Sequence, residues 1–300
     1  MNPLRIGIIG LDISHVTAFA TLLHDPKNHY HVPGARIVAG FPGGSPDFPL
    51  SINRVKNFTE ELRTQHQVEI VQQIEQLRPL CDAILIESVD GRVHLEQFTK
   101  VADWNMPVFI DKPLTISSVE AQAIFSLAKK LNTRVMTSSP LRFADDFQKA
   151  LNRSNSGIVC GSDFFGPVPL EEVLPGFFWY GIHTIEMLYA AMGTGCLEVT
   201  AERNGPLDWV VGRWPDQRLG TLRGTRSGSF DFGGIIHRES GSTPFKVSDK
   251  GKPFYACLLE EIMRFFKGDP SPVLLAESVE IIRFIEAANE SIQTGKTVKL

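Results

Sequence analysis

The chain has 300 residues, 43% of them hydrophobic and 21% charged, with a net charge of −4. That length fits two domains of roughly 100–200 residues each, and mild acidity without a long basic run argues against a nucleic-acid partner. No apolar run reaches the ~18 residues of a membrane span; four scattered cysteines without a C-x-x-C pair argue against structural zinc or a disulfide framework and for reduced thiols in the cytoplasm.

Residues 4–9 read as a buried, apolar strand that begins almost at once, so no signal peptide is expected. Gly10 ends the strand. From Ser14 the apolar spacing becomes helical, with Val16, Phe19, Ala20 and Leu23 on one face. Strand, glycine turn and helix open a dinucleotide-binding βαβ unit, whose helix N-terminus offers N–H groups and a positive dipole to an anion. Gly10, Leu11, Asp12, Ile13, Ser14 and His15 are therefore candidate cofactor-binding residues. The fingerprint G-x-G-x-x-G would need glycine at 10, 12 and 15; the chain has Gly10, Asp12 and His15. A purely structural turn, with Asp12 or Ser14 as helix cap, is the alternative.

His24, His29 and His31 follow in a loop of turn-forming residues and read as solvated side chains rather than metal ligands. A second strand covers 35–40, but no Asp or Glu ends it where a ribose would be held; Asp47 comes several residues too late. Gly43, Gly44 and Ser45, with Arg54, could admit a 2′-phosphate or form a surface loop. A helix is expected from about residue 57, then a short strand near 68–71, a short helix ended by Pro79, and a strong buried strand, CDAILIES. A helix with Val93, Phe98, Val101 and Trp104, the strand MPVFI, a helix from Ser117 or Ser118 and a sixth strand near 133–139 complete the alternation. Such alternation implies a doubly wound parallel sheet, with ligands beyond the carboxyl ends of its strands. Residues 87–90, His94 and residues 111–113 fall at those ends, with Ser88, His94, Asp111 and Lys112 as cofactor-binding candidates.

In Asp111-Lys112-Pro113, a lysine faces the cleft where a nicotinamide would lie. Partial desolvation would make it a usable proton donor and acceptor, and a cis Lys-Pro bond would aim it. A surface turn is the alternative. Arg142, just past the sixth strand in an expected helix at 141–154, could reach an anionic ligand or form a surface salt bridge. From about 157 successive strands suggest a largely antiparallel sheet. They are interrupted by the helix GIHTIEMLYAAMG, on which His183 and Glu186 lie three apart. Two helices close the chain.

Taken together, these motifs resemble the glucose–fructose oxidoreductase / inositol dehydrogenase (Gfo/Idh/MocA) family over essentially the full length. The resemblance rests on IGIIG, on CDAILIES with His94 after it, and on Asp-Lys-Pro where the family has Glu-Lys-Pro. It also rests on the GIHTIEMLYAAMG helix and on the closing EIMRFFKGDPSPVLLAESVEIIRFIEAANESIQTGKTVKL. It implies an α/β protein: a Rossmann domain over residues 1–116 and a C-terminal α/β domain over 117–300, whose open, mostly antiparallel sheet often forms the oligomer interface. A homodimer or homotetramer is the expectation. It further implies hydride transfer with NAD or NADP on a sugar, cyclitol or related polyol. Lys112 matches the lysine that contacts nicotinamide and the reacting oxygen. His183 matches the histidine of the family's D-x-G-x-H-x-x-D helix, and the two are the catalytic candidates. The first Asp of that motif is Trp179 here, and Glu186 replaces the second. NAD-assisted glycoside cleavage on the same fold and a non-catalytic ligand sensor are the competing expectations.

Overall fold

A computed structural model describes residues 3–153, 157–248 and 250–300. In chain order the first elements are β1 (Leu4–Ile9), α1 (His15–His24), β2 (Ala35–Phe41), α2 (Pro49–Gln65), β3 (Glu69–Ile70), β4 (Ala83–Ile86) and α3 (His94–Val101). They continue with β5 (Val108–Ile110), α4 (Ser118–Leu131) and β6 (Val135–Thr137). After them come α5 (Asp145–Leu151), β7 (Val159–Pro167), α6 (Gly181–Met192), β8 (Glu198–Asn204), β9 (Leu207–Arg213), β10 (Leu219–Thr225), β11 (Gly233–Arg238) and β12 (Gly241–Lys246). The chain ends with α7 (Phe254–Phe266), α8 (Leu275–Thr294) and β13 (Val298–Lys299).

The chain forms two compact units. The first comprises Met1–Thr115, Val119–Ser138 and Tyr255–Leu275, the second Ile116–Ser118, Ser139–Phe254 and Ala276–Leu300. The division expected at residue 116 leaves out part of the first unit. β6 pairs with β5 in parallel, Val108 opposite Val135, so residues beyond 116 complete the first sheet. Tyr255–Leu275 then returns to the same unit.

The first unit is a six-stranded parallel sheet in the order β3-β2-β1-β4-β5-β6. Strand order reverses between β1 and β4, which makes the carboxyl ends of those two strands the switch point where such sheets take ligands. The strands are apolar because helices cover both faces. Ile8, Ile9, Ile84, Leu85, Ile86 and Ile110 are sealed from solvent, each contributing about 1.5–3 kcal/mol relative to exposure. The expected α1 stripe of Val16, Phe19, Ala20 and Leu23 is buried. α2 begins at Pro49, eight residues earlier than expected at 57, because proline suits a first helical turn even where no apolar stripe follows.

The second unit holds a seven-stranded sheet in the order β12-β11-β7-β10-β9-β8-β13. It is antiparallel except between β7 and β10. α6 is buried along nearly its whole length. It comes close to β7 because residue 166 is glycine: a Cβ there would lie 2.3 Å from Thr184 Oγ1. Among the described residues no helix is long and apolar enough to cross a membrane. None of the four cysteines is disulfide-bonded.

Candidate active site

The carboxyl edge of the first sheet carries two polar assemblies. One ties three loops together. Asp12, 1% exposed, accepts from the Val89 N–H at 2.9 Å with Oδ1 and from the Ser51 hydroxyl with Oδ2. Ser51 Oγ also accepts from the Ser45 N–H at 2.8 Å, and the Ser45 hydroxyl donates to Asp90 at 2.6 Å. Arg92 forks onto Asp90 and Asp47. The loops after β1, β2 and β4 are thus stitched by side chains that a fingerprint search does not weigh. Burial pushes the Asp12 carboxyl above its ordinary range, against the hydrogen bonds from Ser51 and Val89.

Gly10 is required where it stands. Its φ is +85°, and a Cβ would lie 2.4 Å from the Ser88 nitrogen. Leu11 and Ile13 are core residues, and only their backbone could meet a ligand. Ser14, exposed, precedes α1 and makes no side-chain cap, so the positive end of the helix has no side-chain acceptor. The Ser88 hydroxyl bonds Gln97, and both nitrogens of buried His94 face backbone carbonyls: Nε2 that of Ser88 at 2.7 Å, Nδ1 that of Pro113 at 2.9 Å. His94 is therefore a strut between two strand-end loops.

The second assembly gathers the ends of β1, β4 and β5. His15 Nδ1 lies 3.1 Å from Asp111 Oδ2 and 3.6 Å from Glu87 Oε2, with its ring 4.6 Å from that of Tyr255. Lys112 follows Asp111, is 3% exposed, and precedes Pro113 through a cis peptide bond. Burial would lower the His15 pKa, but Asp111 and Glu87 raise it to about 9. Burial, reinforced by Asp111, pushes Glu87 up to about 8. Burial also draws the Lys112 ammonium below its ordinary value, with Asp111 and Glu87 opposing. Donor atoms of His15, Glu87 and Asp111 lie within 4.8 Å of one another. His15 and Lys112 stand against the two carboxylates and offset their charge. The sequence placed Glu87 at a ligand-bearing strand end but gave it no role; a carboxylate closing an all-apolar strand was the visible signal.

In the second unit the Ser139 hydroxyl meets His183 Nδ1 at 2.7 Å. Arg142 is buried, with Nε on Glu186 and Nη2 on Glu277, each at 2.6 Å. It forms a buried ion-pair triad, where contact with an anionic ligand or a surface salt bridge was expected, and both arms of its guanidinium meet carboxylates. The histidines expected as solvated loop residues divide. His24 ends α1 and its Nε2 accepts from the Ile37 N–H at 2.9 Å, burial lowering its pKa to about 4. His31 holds the Leu22 carbonyl.

A dinucleotide fits the first assembly. The uncapped start of α1 at exposed Ser14 suits a pyrophosphate, and Asp12 turns its charge inward. The backbone of Gly10–Ser14 would hold the phosphates and Lys112 would stand at the nicotinamide end. The acid that usually holds a ribose is absent.

Residues 4–139 match the family model described as "Oxidoreductase family, NAD-binding Rossmann fold". A comparison with curated proteins yields no sequence match. Among solved structures, a "probable dehydrogenase" from Thermotoga maritima superposes with a TM-score of 0.79 at 20% identity, covering 99% of this chain and 98% of that one. A myo-inositol dehydrogenase from Corynebacterium glutamicum gives 0.79 at 17% identity, covering 99% of each chain. The scyllo-inositol dehydrogenase from Lactobacillus casei, solved with NAD(H) and scyllo-inositol, gives 0.78 at 14%, again covering 99% of each. These likenesses show the fold. The family match spans residues 4–139, less than half of the chain, and marks that stretch as similar to oxidoreductases with an NAD-binding Rossmann fold.

Proposed function

We propose that this oxidoreductase interconverts a hydroxyl-bearing carbon and a carbonyl on a sugar, cyclitol or related polyol. The observation that carries the reading is a buried lysine at the carboxyl end of β5 whose pKa burial lowers. A nicotinamide dinucleotide, when bound, supplies the hydride acceptor or donor. Lys112 Nζ would hold the hydroxyl proton, taking it during oxidation and returning it during reduction. His183, fixed at Nδ1 by Ser139, would orient the substrate. The inositol dehydrogenases among the structural neighbours favour a polyol substrate.

Thermal shift with millimolar NAD and NADP tests cofactor binding, because a ligand raises apparent stability by mass action. A polyol and sugar panel read at the reduced nicotinamide's absorbance tests turnover. Lys112→Ala is expected to lose roughly 10²–10⁴-fold in rate with an unchanged circular dichroism spectrum. If neither dinucleotide raises the melting temperature, a ligand-sensing role replaces this one. Cofactor that co-purifies and undergoes no net reduction favours glycoside cleavage.

We also infer a homo-oligomer built on the open face of the second sheet. Phe165, Arg223 and Trp209 stand side by side across β7, β10 and β9, and Phe165 and Trp209 are exposed. Trp209→Glu should reduce the mass measured by light scattering; an unchanged mass removes that interface.

A further inference from the structure

Four polar side chains near the strand ends of the first unit are deeply buried, yet they are satisfied in opposite ways. Asp12 and Asp90 are saturated: each accepts from a backbone N–H and from a serine hydroxyl. That is what a structural carboxylate needs, since an unmet buried acceptor costs about 1–3 kcal/mol. Glu87 and Asp111 are fully buried, and among the described residues no hydrogen bond of good geometry reaches any of their four oxygens. Their nearest polar neighbours are charged groups. His15 Nδ1 lies against both, Lys112 acts electrostatically on both, and the Tyr255 ring closes over His15. Buried carboxylates faced by an imidazole and an ammonium are acceptors for a mobile proton.

We propose that Glu87, positioned by His15 and Asp111, is a buried proton store that exchanges with Lys112 during turnover. The proposal rests on the dehydrogenase reading for its role, and on cluster geometry for its existence. In the oxidative direction, from the form of the cluster in which Glu87 is ionised and Lys112 neutral, the substrate O–H bond breaks and an N–H bond forms on Lys112. The two electrons leave the substrate carbon with the hydride, which the nicotinamide cofactor accepts. An N–H bond of Lys112 then breaks as an O–H bond forms on the Glu87 carboxylate, which becomes neutral while the amine is restored. Reduction runs the same bonds backwards.

The groups facing Glu87 within this unit account for its affinity. His15 on α1 and Lys112 after β5 favour its anion; Asp111 after β5 and the loss of water favour its acid. With His15 charged, Asp111 ionised and one proton shared between Lys112 and Glu87 the cluster is neutral, so adding or removing a proton creates a net buried charge. Proton affinity therefore settles between that of a free carboxylate and that of a free amine. Glu87 is raised and Lys112 lowered, which brings the two affinities closer and lessens the cost of passing a proton.

Infrared difference spectroscopy on the protein without cofactor or substrate tests the store directly. The wild type should show a buried protonated carboxyl C=O band that disappears as pH rises through about 8. Glu87→Gln should lack the band. His15→Gln, which removes a neighbouring cation, should move its disappearance to higher pH, and it decides the matter if Glu87→Gln fails to fold. No titrating band in the wild type, or a band that survives in Glu87→Gln, overturns the store. With an active substrate, Glu87→Gln should lower kcat about tenfold or more and leave KM within about twofold; an unchanged kcat overturns the catalytic role. A band present in a protein that turns over no polyol with either dinucleotide refutes the dehydrogenase reading instead.

Discussion

The hydroxyl of Ser139 sits 2.7 Å from Nδ1 of His183 while accepting the Leu141 N–H at 3.2 Å. One serine thus starts a short turn and holds an imidazole on a different helix. Ser139→Ala removes the contact at Nδ1 without a change of charge. We expect kcat/KM to fall roughly two- to tenfold, the equivalent of about 0.5–1.5 kcal/mol for a neutral hydrogen bond. Nitrogen NMR of labelled histidine should show an altered His183 tautomer balance. Unchanged kcat/KM in that variant would remove His183's dependence on Ser139.

Gly10→Ala should be severe and beyond simple rescue. The added methyl meets Ser88 Oγ at 2.2 Å, but also the Ser88 backbone nitrogen and Cα at 2.4 and 2.5 Å, with φ at +85°. Overpacking and left-handed strain each cost about 1–3 kcal/mol. Ser88→Ala removes only the hydroxyl, so the double variant should remain destabilised in urea unfolding. Full recovery would show that the hydroxyl alone was the obstacle.

Arg142→Met should cost about 3–5 kcal/mol, because it strands the carboxylates of Glu186 and Glu277 against a buried apolar chain. Adding Glu186→Gln should recover part of that loss. Equal stability of the single and double variants would mean that Glu186 draws little from the pair.

The His15 cluster makes alkaline pH destabilising. His15 rises from 6.5 to about 9 on folding, so its contribution is whole below pH 6.5 and is lost as pH climbs through 9. Glu87, raised from 4.5 to about 8, has the same sign over a lower window. Melting temperature should therefore decline steadily between about pH 6 and 9, and His15→Gln should flatten the upper part of that decline. A flat wild-type profile across the range would contradict the assignment.

Much of the first sheet could be read in advance, because buried parallel strands are continuous apolar runs and their ends are marked by Gly10, Glu87 and Asp111. Other elements left no local trace. β12 has no buried residue and contains Pro244, so its pairing with β11 is an edge event without a hydrophobic pattern. The helix expected over 141–154 is broken at Ala144, which is extended at ψ 130°, and Ser154 lies outside the described residues. The site divides the same way. Lys112 stood out through its strand-end tripeptide. The partners of Asp12 are 39 and 77 positions away, and those of His15 are 72 and 96; no spacing rule reaches that far.

The return of Tyr255–Leu275 to the first unit bears on biosynthesis. A nascent chain that has emerged only as far as residue 139 holds all six strands of the parallel sheet but lacks the ring that packs on His15 and Phe19. Final closure of this half must wait until more than a hundred further residues have left the ribosome. A fragment cut at residue 139 should therefore expose Phe19 and aggregate, and adding back a peptide spanning residues 255–275 should keep it in solution.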